Sequence, residues 1–424
     1  MKELVHRLRL TDWRGSLSTF YPSAIRMAGA GLQFLNTILI ARTLGDVGSE
    51  RYFFWSAIIM TSTGMASYGL EQLSLRDVPR LQLKGTTSVR TYLTAVQAIS
   101  VSLALIIGLG LVIYAQFTEG WAEWQILIPF GLAAMTTVVI FGEVLKGLSQ
   151  PVLGVLFGHF LPVFIFTIAI ALAGSALTSA LLLKLWIGSF LLAVLLLRFS
   201  GQPELKGHPF KKSDPALLKS LFIEGRSVFA GGIFGALSFM IPLAILKSQA
   251  QDPEVSYVTT AFRISILISI LSGAIHSVFA PQISRAAESF DARRVFKSYS
   301  KAVIFSLVAL GPPIFIGVAF PQLVMQIFGE SFRDGASTLR LLLICNLISL
   351  VLGPVLQLLI MIGSNRHLPR FGFFKLIIAV AAGWVLIPKF GGVGMVVAMS
   401  GAFLLEELAV LIYIGLKLRK YGPA

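Results

Sequence analysis

The chain consists largely of apolar runs of about 20 residues, separated by short polar stretches. A run of this length, wound as an α-helix, is long enough to cross the hydrocarbon core of a bilayer. Membrane β-strands would be about 10 residues long and alternate in character. We therefore predict an all-α integral membrane protein with about twelve spans, at approximately 17–42, 52–74, 92–114, 125–147, 152–173, 177–197, 221–246, 256–282, 299–321, 338–361, 371–388 and 394–416.

The amino-acid composition agrees with a membrane protein. Only 13% of the residues are charged and 56% are hydrophobic, whereas a soluble domain is about 25% charged. The chain therefore lacks the residues needed to cover a water-facing surface. A net charge of +15 could suggest nucleic acid, but its distribution along the chain indicates membrane topology instead. The single cysteine, Cys345, leaves no partner for an intrachain disulfide.

Lysine and arginine are concentrated in alternate loops. If the N-terminus lies inside, the inside segments carry 24 of these residues and the outside segments carry 6. This asymmetry follows the positive-inside rule and predicts that both termini are cytoplasmic. The charged N-terminal stretch lacks the short apolar core of a cleavable signal peptide, so we expect the first span to act as its own insertion signal.

The longest hydrophilic stretch lies near the middle of the chain and is rich in lysine and proline. Six predicted spans precede it and six follow it. Tyr52 and Tyr257, 205 residues apart, begin the second and eighth spans and belong to a weak internal repeat. An even number of spans in each repeat predicts parallel repeats around a central cavity. The predicted divisions are an N-lobe (1–198), a cytoplasmic basic linker (199–220) and a C-lobe (221–424).

Three segments at span ends resemble a known family. They read FLNTILIARTLGDVGSERYFFW, GMASYGLEQLSLRDVPRL and YVTTAFRISILISILSGAIHSVFAPQISRA. Together they resemble the polysaccharide, or O-antigen-type, flippase branch of the multidrug/oligosaccharidyl-lipid/polysaccharide (MOP) exporter superfamily. The matching positions are Ala41, Arg42, Leu44, Gly45, Tyr52, Gly69, Leu70, Arg76, Tyr257, Ala261, Arg263, Pro281, Ile283 and Ser284.

This resemblance implies two six-helix lobes around a central cavity that opens by alternating access. It also implies a flippase that moves an undecaprenyl-pyrophosphate-linked oligosaccharide, a polysaccharide repeat unit, from the inner to the outer leaflet of the bacterial cytoplasmic membrane. A sibling branch that moves the peptidoglycan precursor has fourteen spans, so twelve spans favour the former branch. The expected partners are the anionic lipid-linked oligosaccharide, membrane lipid and the polysaccharide polymerase machinery, with no nucleic acid.

Charged side chains within or beside the spans are the candidate site residues, because a charge in the bilayer costs a few kcal/mol unless it is paired or hydrated. Arginine suits a diphosphate, since its planar fork stays charged and donates two parallel hydrogen bonds. The candidate substrate-binding residues are Arg26, Arg263, Lys184 and Arg226. A structural ion pair, or a bond to a backbone carbonyl, is the alternative explanation for each of them.

Glu406 and Glu407 are the best candidates for coupling transport to Na⁺ or H⁺, and we expect no other cofactor. We expect His159, like His276, to be hydrogen-bonded filler rather than a proton relay. Glu143 and Lys146 are three residues apart, and we expect them to pair along one helix face.

No nucleotide-binding loop or histidine–glutamate metal motif occurs in the sequence. A membrane polymerase or glycosyltransferase would normally need a substantial polar catalytic loop. We therefore expect a transporter rather than an enzyme. Two alternatives remain: a cation-coupled multidrug exporter, which would need acidic residues in its cavity, and a membrane enzyme that acts on prenyl-linked sugars.

Overall fold

A computed structural model describes residues 12–82, 85–200, 214–249, 253–288, 292–361, 364 and 367–419. These residues are helical almost throughout. The α-helices are α1 (Asp12–Ala66), α2 (Leu70–Gln82), α3 (Thr86–Glu119), α4 (Leu127–Gly147), α5 (Pro151–Val155), α6 (Leu161–Ala173), α7 (Ser179–Phe199), α8 (Pro215–Gln249), α9 (Glu254–Glu288), α10 (Ala292–Ala319), α11 (Pro321–Gln326), α12 (Ala336–Leu352), α13 (Val355–Met361) and α14 (Leu368–Arg419). A π-helical turn, Leu156–Phe160, joins α5 to α6.

Ten helical runs in the described part of the chain are long and apolar enough to cross a membrane. Two of them, in α1 and α14, are pairs of helices joined at a glycine. The φ angle is 70° at Gly45 and 53° at Gly391, in the region that glycine adopts without steric cost. If each of these two runs is counted as two helices, the ten runs become twelve helices, which correspond to the twelve predicted spans. The prediction of an all-α, multi-pass membrane protein is confirmed.

Two predicted spans are interrupted. The second was predicted to continue to residue 74, but α1 ends at Ala66, and Tyr68 has a φ of 56°. The Tyr68 hydroxyl donates to the Phe222 backbone oxygen at 3.2 Å, which helps to hold this turn. The tenth was predicted as one helix over 338–361. It breaks after Leu352, because Pro354 has no N–H to continue the helical hydrogen bonding.

The chain forms two compact units. Unit one is Met1–Asn36 with Ile59–Phe229, and unit two is Thr37–Ile58 with Ala230–Ala424. Each has its own buried core. The cluster in unit one includes Leu93, Phe141 and Leu145, whereas one in unit two includes Val295, Tyr299 and Val410.

The predicted lobes follow the two sequence halves, and their bounds at 198 and 221 stay a prediction. Residues 201–213 of the predicted linker lie outside the described residues. Among the described residues, the segment 37–58 groups with the later part of the chain. This segment, the two arms of α1 on either side of Gly45, is called the α1 hairpin below.

Candidate functional site

The guanidinium of Arg263, on α9, is held by the α1 hairpin. Its Nη2 donates to Ser56 Oγ at 2.8 Å, and its Nη1 donates to Thr37 Oγ1 at 3.3 Å. Its Cζ lies 4.8 Å from the ring centroid of Phe53 and 5.8 Å from that of Tyr52. Aromatic faces at such distances attract a cation through their quadrupole. Hydroxyl and ring contacts therefore fix the orientation of this cation.

None of the contacting groups that hold Arg263 is an anion. No ion pair among the described residues includes Arg263, and its side-chain hydrogen bonds to Thr37, Ser56 and Tyr52 all go to neutral hydroxyls. A partly buried charge without a counter-ion is costly in a membrane protein and commonly marks a functional position. Among the described residues, no carboxylate therefore neutralises the Arg263 guanidinium.

The local structure of the α1 hairpin explains how two distant stretches meet at Arg263. Thr37 lies on the arm before Gly45, and Ser56 lies on the arm after it. The turn at Gly45 folds the two arms back on each other, so both hydroxyls reach one guanidinium. The Ser56 and Thr37 side chains are themselves buried.

Polar contacts hold the tip of the α1 hairpin within unit two. Arg42 Nε donates to the Ile327 backbone oxygen at 2.8 Å. Lys247 forms an ion pair with the buried carboxylate of Glu50. Because these contacts lie on both sides of Gly45, they restrain both arms and therefore position Thr37 and Ser56.

Arg26 and Arg226 lie in unit one, and both side chains are exposed. Neither forms a hydrogen bond or ion pair with another residue that the structure describes. Near Arg226, Glu224 instead accepts from Arg76 at 2.6 Å. The carboxylates of Asp77 and Glu224 raise the pKa of the Arg76 guanidinium above its usual range. The substrate-binding roles of Arg26 and Arg226 stay predictions.

Lys184 is also in unit one, and its Nζ lies 2.9 Å from Glu123 Oε2. This ion pair is well exposed, with 40% of the lysine side chain and 83% of the glutamate side chain accessible. The contact that Lys184 makes is therefore a structural ion pair, which the sequence analysis gave as the alternative to substrate binding. Its substrate-binding role stays a prediction.

Glu406 and Glu407 are buried neighbours on α14 in unit two, and they have different partners. Glu406 forms an ion pair with Lys375 at 2.7 Å, and 14% of that lysine side chain is exposed. Glu407 accepts a hydrogen bond from Ser349 Oγ at 2.9 Å through its Oε1. Its other oxygen, Oε2, is buried and has no hydrogen-bond partner among the described residues.

Glu407 lines a cavity of about 260 Å³ within unit two. The polar residues around this cavity are Ser269, Ser272, Asn346, Ser349 and Glu407. Hydroxyl, amide and carboxylate oxygens are ligands that hard cations prefer. The two acidic candidates differ in their charged partners: Lys375 forms an ion pair with Glu406 Oε2, whereas Glu407 Oε2 has neither an ion pair nor a hydrogen bond among the described residues.

Sequence reasoning missed the neutral residues that complete both sites. Thr37, Ser56 and Phe53 surround Arg263, while Asn346 and Ser349 accompany Glu407. A serine or threonine in a span is by default a helix-packing residue, so these residues carried no signal of their own. The aromatic start of the second span was the nearest clue, because it places rings beside a cation.

Comparison with known proteins supports the architecture. The chain is 22% identical, over 397 residues, to the probable low-salt glycan biosynthesis flippase Agl15 of Haloferax volcanii, covering 88% of this chain and 78% of that protein. It matches a lipid II flippase MurJ in an inward closed conformation with a TM-score of 0.71 at 15% identity, covering 94% of this chain and 87% of that one. An inward-facing MATE family multidrug resistance transporter of the MOP superfamily gives a TM-score of 0.67 at 14% identity, covering 94% and 98%.

The fold is that of the MOP transporters. No protein-family model matches the chain. The proteins it resembles are flippases and transporters rather than enzymes, in agreement with the expectation from the sequence. The predicted MOP-like architecture is confirmed, and the identities of 14–15% to the solved structures limit those likenesses to the fold.

Proposed function

We propose that this protein is a flippase that moves an undecaprenyl-pyrophosphate-linked oligosaccharide from the inner to the outer leaflet by alternating access. The observation that carries the proposal is the guanidinium of Arg263, which is oriented by two hydroxyls and two aromatic rings while no described carboxylate neutralises it. The anion that completes this site is the carrier's diphosphate. The similarity to a probable glycan biosynthesis flippase supports the glycan part of the substrate.

The chemistry of Arg263 fits a diphosphate better than a neutral or cationic substrate. A guanidinium stays charged at any physiological pH and can offer two donors to phosphate oxygens. Its present acceptors, Thr37 and Ser56, form weaker neutral-acceptor bonds that a phosphate can replace. The aromatic rings hold the cation without cancelling its charge. A cationic drug would be repelled by the same group.

The proposal places the protein in the bacterial cytoplasmic membrane with both termini in the cytoplasm, as the distribution of basic residues predicts. The prenyl tail would stay in lipid while the diphosphate and the sugars cross in a hydrated path. Proteins of a polysaccharide polymerase machinery would receive the product at the outer leaflet.

Glu407 is the proposed site of ion coupling. Its Oε2 is buried without a hydrogen-bond partner in the described structure, and it adjoins a cavity that also presents Asn346 and Ser349. A carboxylate in that position would bind Na⁺ or a proton more readily than Glu406, which is paired with Lys375. Binding of the cation at Glu407 and its release on the other side would then drive the cycle.

The direct test is transport of a fluorescent prenyl-pyrophosphate-linked oligosaccharide in proteoliposomes, alongside export in a deletion strain. Loss of a charged hydrogen bond costs about 1.5–3 kcal/mol, so Arg263→Ala should slow transport about 10- to 100-fold. Arg263→Lys should retain part of the rate, because it keeps the charge but not the fork.

Arg340→Ala is the matched control. Arg340 is an exposed arginine of unit two whose Nε donates to the Val318 backbone oxygen at 3.2 Å. Its loss should leave transport unchanged. Wild-type transport by Arg263→Ala would refute the proposal. Drug resistance that depends on the protein, without movement of the glycolipid, would favour a multidrug exporter, and new glycosidic bonds would favour an enzyme.

A further inference from the structure

The cavity beside Glu407 is larger than a single ion requires. Its volume is about 260 Å³, whereas one water molecule takes up about 30 Å³ in the liquid. A bare cation at Glu407 would therefore leave most of this space to other atoms. The cavity has room for a small organic group that carries several polar atoms.

A break between two helices forms one wall of the cavity. Helix α12 ends at Leu352, and Gly353 follows with a φ of 77°, so that Pro354 and the start of α13 continue the wall. The Leu352 backbone oxygen accepts a hydrogen bond from the Tyr299 hydroxyl. A Cβ added at Gly353 would lie 3.0 Å from the same hydroxyl oxygen, so the break is closely packed. The protein itself therefore holds this wall in place.

The polar groups around the cavity differ in how far the protein satisfies them. Asn346 Nδ2 donates to Ser265 Oγ at 2.8 Å, and Ser269 Oγ donates to the Ser265 backbone oxygen at 3.1 Å. Ser349 Oγ donates to Glu407 Oε1 at 2.9 Å. Glu407 Oε2 has no hydrogen-bond partner among the described residues, although the residue is only 5% exposed. A buried carboxylate oxygen in this state needs a donor from a ligand or from water.

The rest of the lining combines hydroxyl groups with apolar side chains. Ser269 and Ser272 present hydroxyls, and a hydroxyl can both donate and accept a hydrogen bond. The apolar members are Ile268, Leu350, Val355, Leu356 and Phe403. A sugar ring matches such a lining, because it carries hydroxyls around its edge and C–H groups on its faces. A prenyl chain does not match it, because it would leave the Glu407 carboxylate without a donor.

We propose that this cavity binds one uncharged sugar residue of the transported glycan, with Glu407 Oε2 accepting a hydrogen bond from a sugar hydroxyl. The inference rests on the proposed function, since it assigns the saccharide part of that substrate to a site in unit two. The diphosphate is not the group that binds here, because a carboxylate repels phosphate. For the same reason a uronic acid should be a poor ligand. The coupling cation needs the same oxygen, so the sugar and the cation occupy Glu407 in turn.

The test measures binding of methyl glycosides to the purified full-length protein by saturation-transfer NMR. The panel contains the methyl glycosides of glucose, galactose, rhamnose and N-acetylglucosamine, and methyl glucuronoside is the charged comparison. Phosphatidylcholine nanodiscs replace sugar-based detergents, which would compete for the cavity, and the buffer contains no Na⁺. Ligands of this size bind weakly, in the millimolar range that this method detects. We expect at least one neutral glycoside to bind saturably and about tenfold more tightly than the glucuronoside.

Two variants test whether the sugar lies in this cavity. Glu407→Gln keeps the size of the side chain but removes the charged acceptor, so it should weaken binding about tenfold. Ser269 is exposed, so Ser269→Leu narrows the cavity without entering the core, and it should abolish binding. Ser337→Leu is the matched control, at an exposed serine of α12 that does not line the cavity. Glu330→Gln, at an exposed acid paired with Arg333, is the control for charge. Both controls should bind like the wild type.

The transport assay gives a second readout. Loss of one sugar contact weakens substrate binding but leaves the arginine site intact. Glu407→Gln and Ser269→Leu should therefore raise the half-saturating concentration of the glycolipid while the maximal rate of downhill transport persists. An unchanged half-saturating concentration in both variants would contradict a sugar contact in this cavity.

Failure of all four neutral glycosides to bind would overturn the inference. So would unchanged binding in either Glu407→Gln or Ser269→Leu, which would place the sugar elsewhere, and so would preferential binding of the glucuronoside. The two proposals fail separately. Wild-type transport by Arg263→Ala, with sugar binding that depends on Glu407 and Ser269, leaves only this site. Lost transport in Arg263→Ala without any sugar binding leaves only the proposed function.

Discussion

The hydroxyl of Tyr257 donates a hydrogen bond to Asp46 Oδ2 at 2.9 Å, next to a bond from Ser256 Oγ to the Asp46 backbone oxygen at 2.6 Å. Asp46 directly follows Gly45 at the turn of the α1 hairpin, and Tyr257 lies six residues before Arg263 on α9. The same pair of helices therefore meets twice, once at the turn and once at the guanidinium. A substitution at Tyr257 should therefore disturb the position of the Arg263 guanidinium as well.

We expect Tyr257→Phe to lower the free energy of unfolding by about 1–2 kcal/mol, because the Asp46 carboxylate loses a buried donor. The Ser331 backbone oxygen, 3.0 Å from the same hydroxyl, also loses a polar neighbour. Thermal unfolding in detergent measures the effect. Tyr413→Phe is the control and should change stability by less than about 0.5 kcal/mol, since Tyr413 makes ring contacts with His367 and Phe371. Equal losses in the two variants would contradict this role of Tyr257.

The buried ion pair between Lys375 and Glu406 should show strong non-additivity. Lys375→Met alone leaves a carboxylate that is 4% exposed without its cation, which should cost about 3 kcal/mol. The double variant Lys375→Met/Glu406→Leu should recover much of that loss. For comparison, Lys184→Met breaks the solvent-exposed pair with Glu123 and should cost much less than the loss of Lys375. Unfolding titrations that give additive losses for Lys375 and Glu406 would show that the pair is not coupled.

The proposed coupling site predicts a defect that depends on the ion gradient. Glu407→Gln keeps the size of the side chain but removes its charge, so transport should no longer respond to an imposed Na⁺ or H⁺ gradient. Ser349→Ala removes the hydroxyl that donates to Glu407 and should weaken that response in part. Downhill transport without a gradient should continue in both variants. A normal gradient response in Glu407→Gln would exclude this carboxylate from coupling.

Gly391 should not tolerate a side chain. Its φ of 53° is unfavourable for other residues by about 1–2 kcal/mol, and an added Cβ would lie 3.1 Å from the carboxylate carbon of Glu254. Glu254 also accepts a hydrogen bond from the Gly392 backbone N–H at 2.7 Å. Gly391→Ala should therefore lower the melting temperature. Gly401→Ala, in the same helix with open space around it, should be neutral or stabilising; the reverse order would contradict this account.

The spans were predictable because a run of about 20 apolar residues is a local property of the sequence. The Glu143–Lys146 pair, in which Lys146 Nζ lies 2.5 Å from Glu143 Oε1, was predictable for the same reason, since helical geometry brings residues three apart together. The partners of Arg263 were not, because Thr37 and Ser56 lie 226 and 207 positions away in the chain. No local pattern encodes such a contact, and neutral hydroxyls in a span usually serve helix packing.

The breaks inside spans were only partly predictable. Pro354 could have signalled the interruption of the tenth span, because it cannot donate the helical hydrogen bond. The turn at Tyr68 had no such signal, since a tyrosine rarely adopts a positive φ. The π-turn at His159 depends on packing against Gly29 and Gly142, and it is therefore a tertiary feature.

The position of the α1 hairpin has a consequence for dividing this protein into fragments. A fragment that begins after the basic linker would contain Arg263 and α9 but would lack Thr37, Phe53 and Ser56. Its guanidinium would lose both hydroxyl acceptors, and the Asp46 acceptor of Tyr257 would be missing. The later half of the sequence is therefore not self-sufficient, and split versions of the protein should regain their arginine site only when both pieces are made in the same cell.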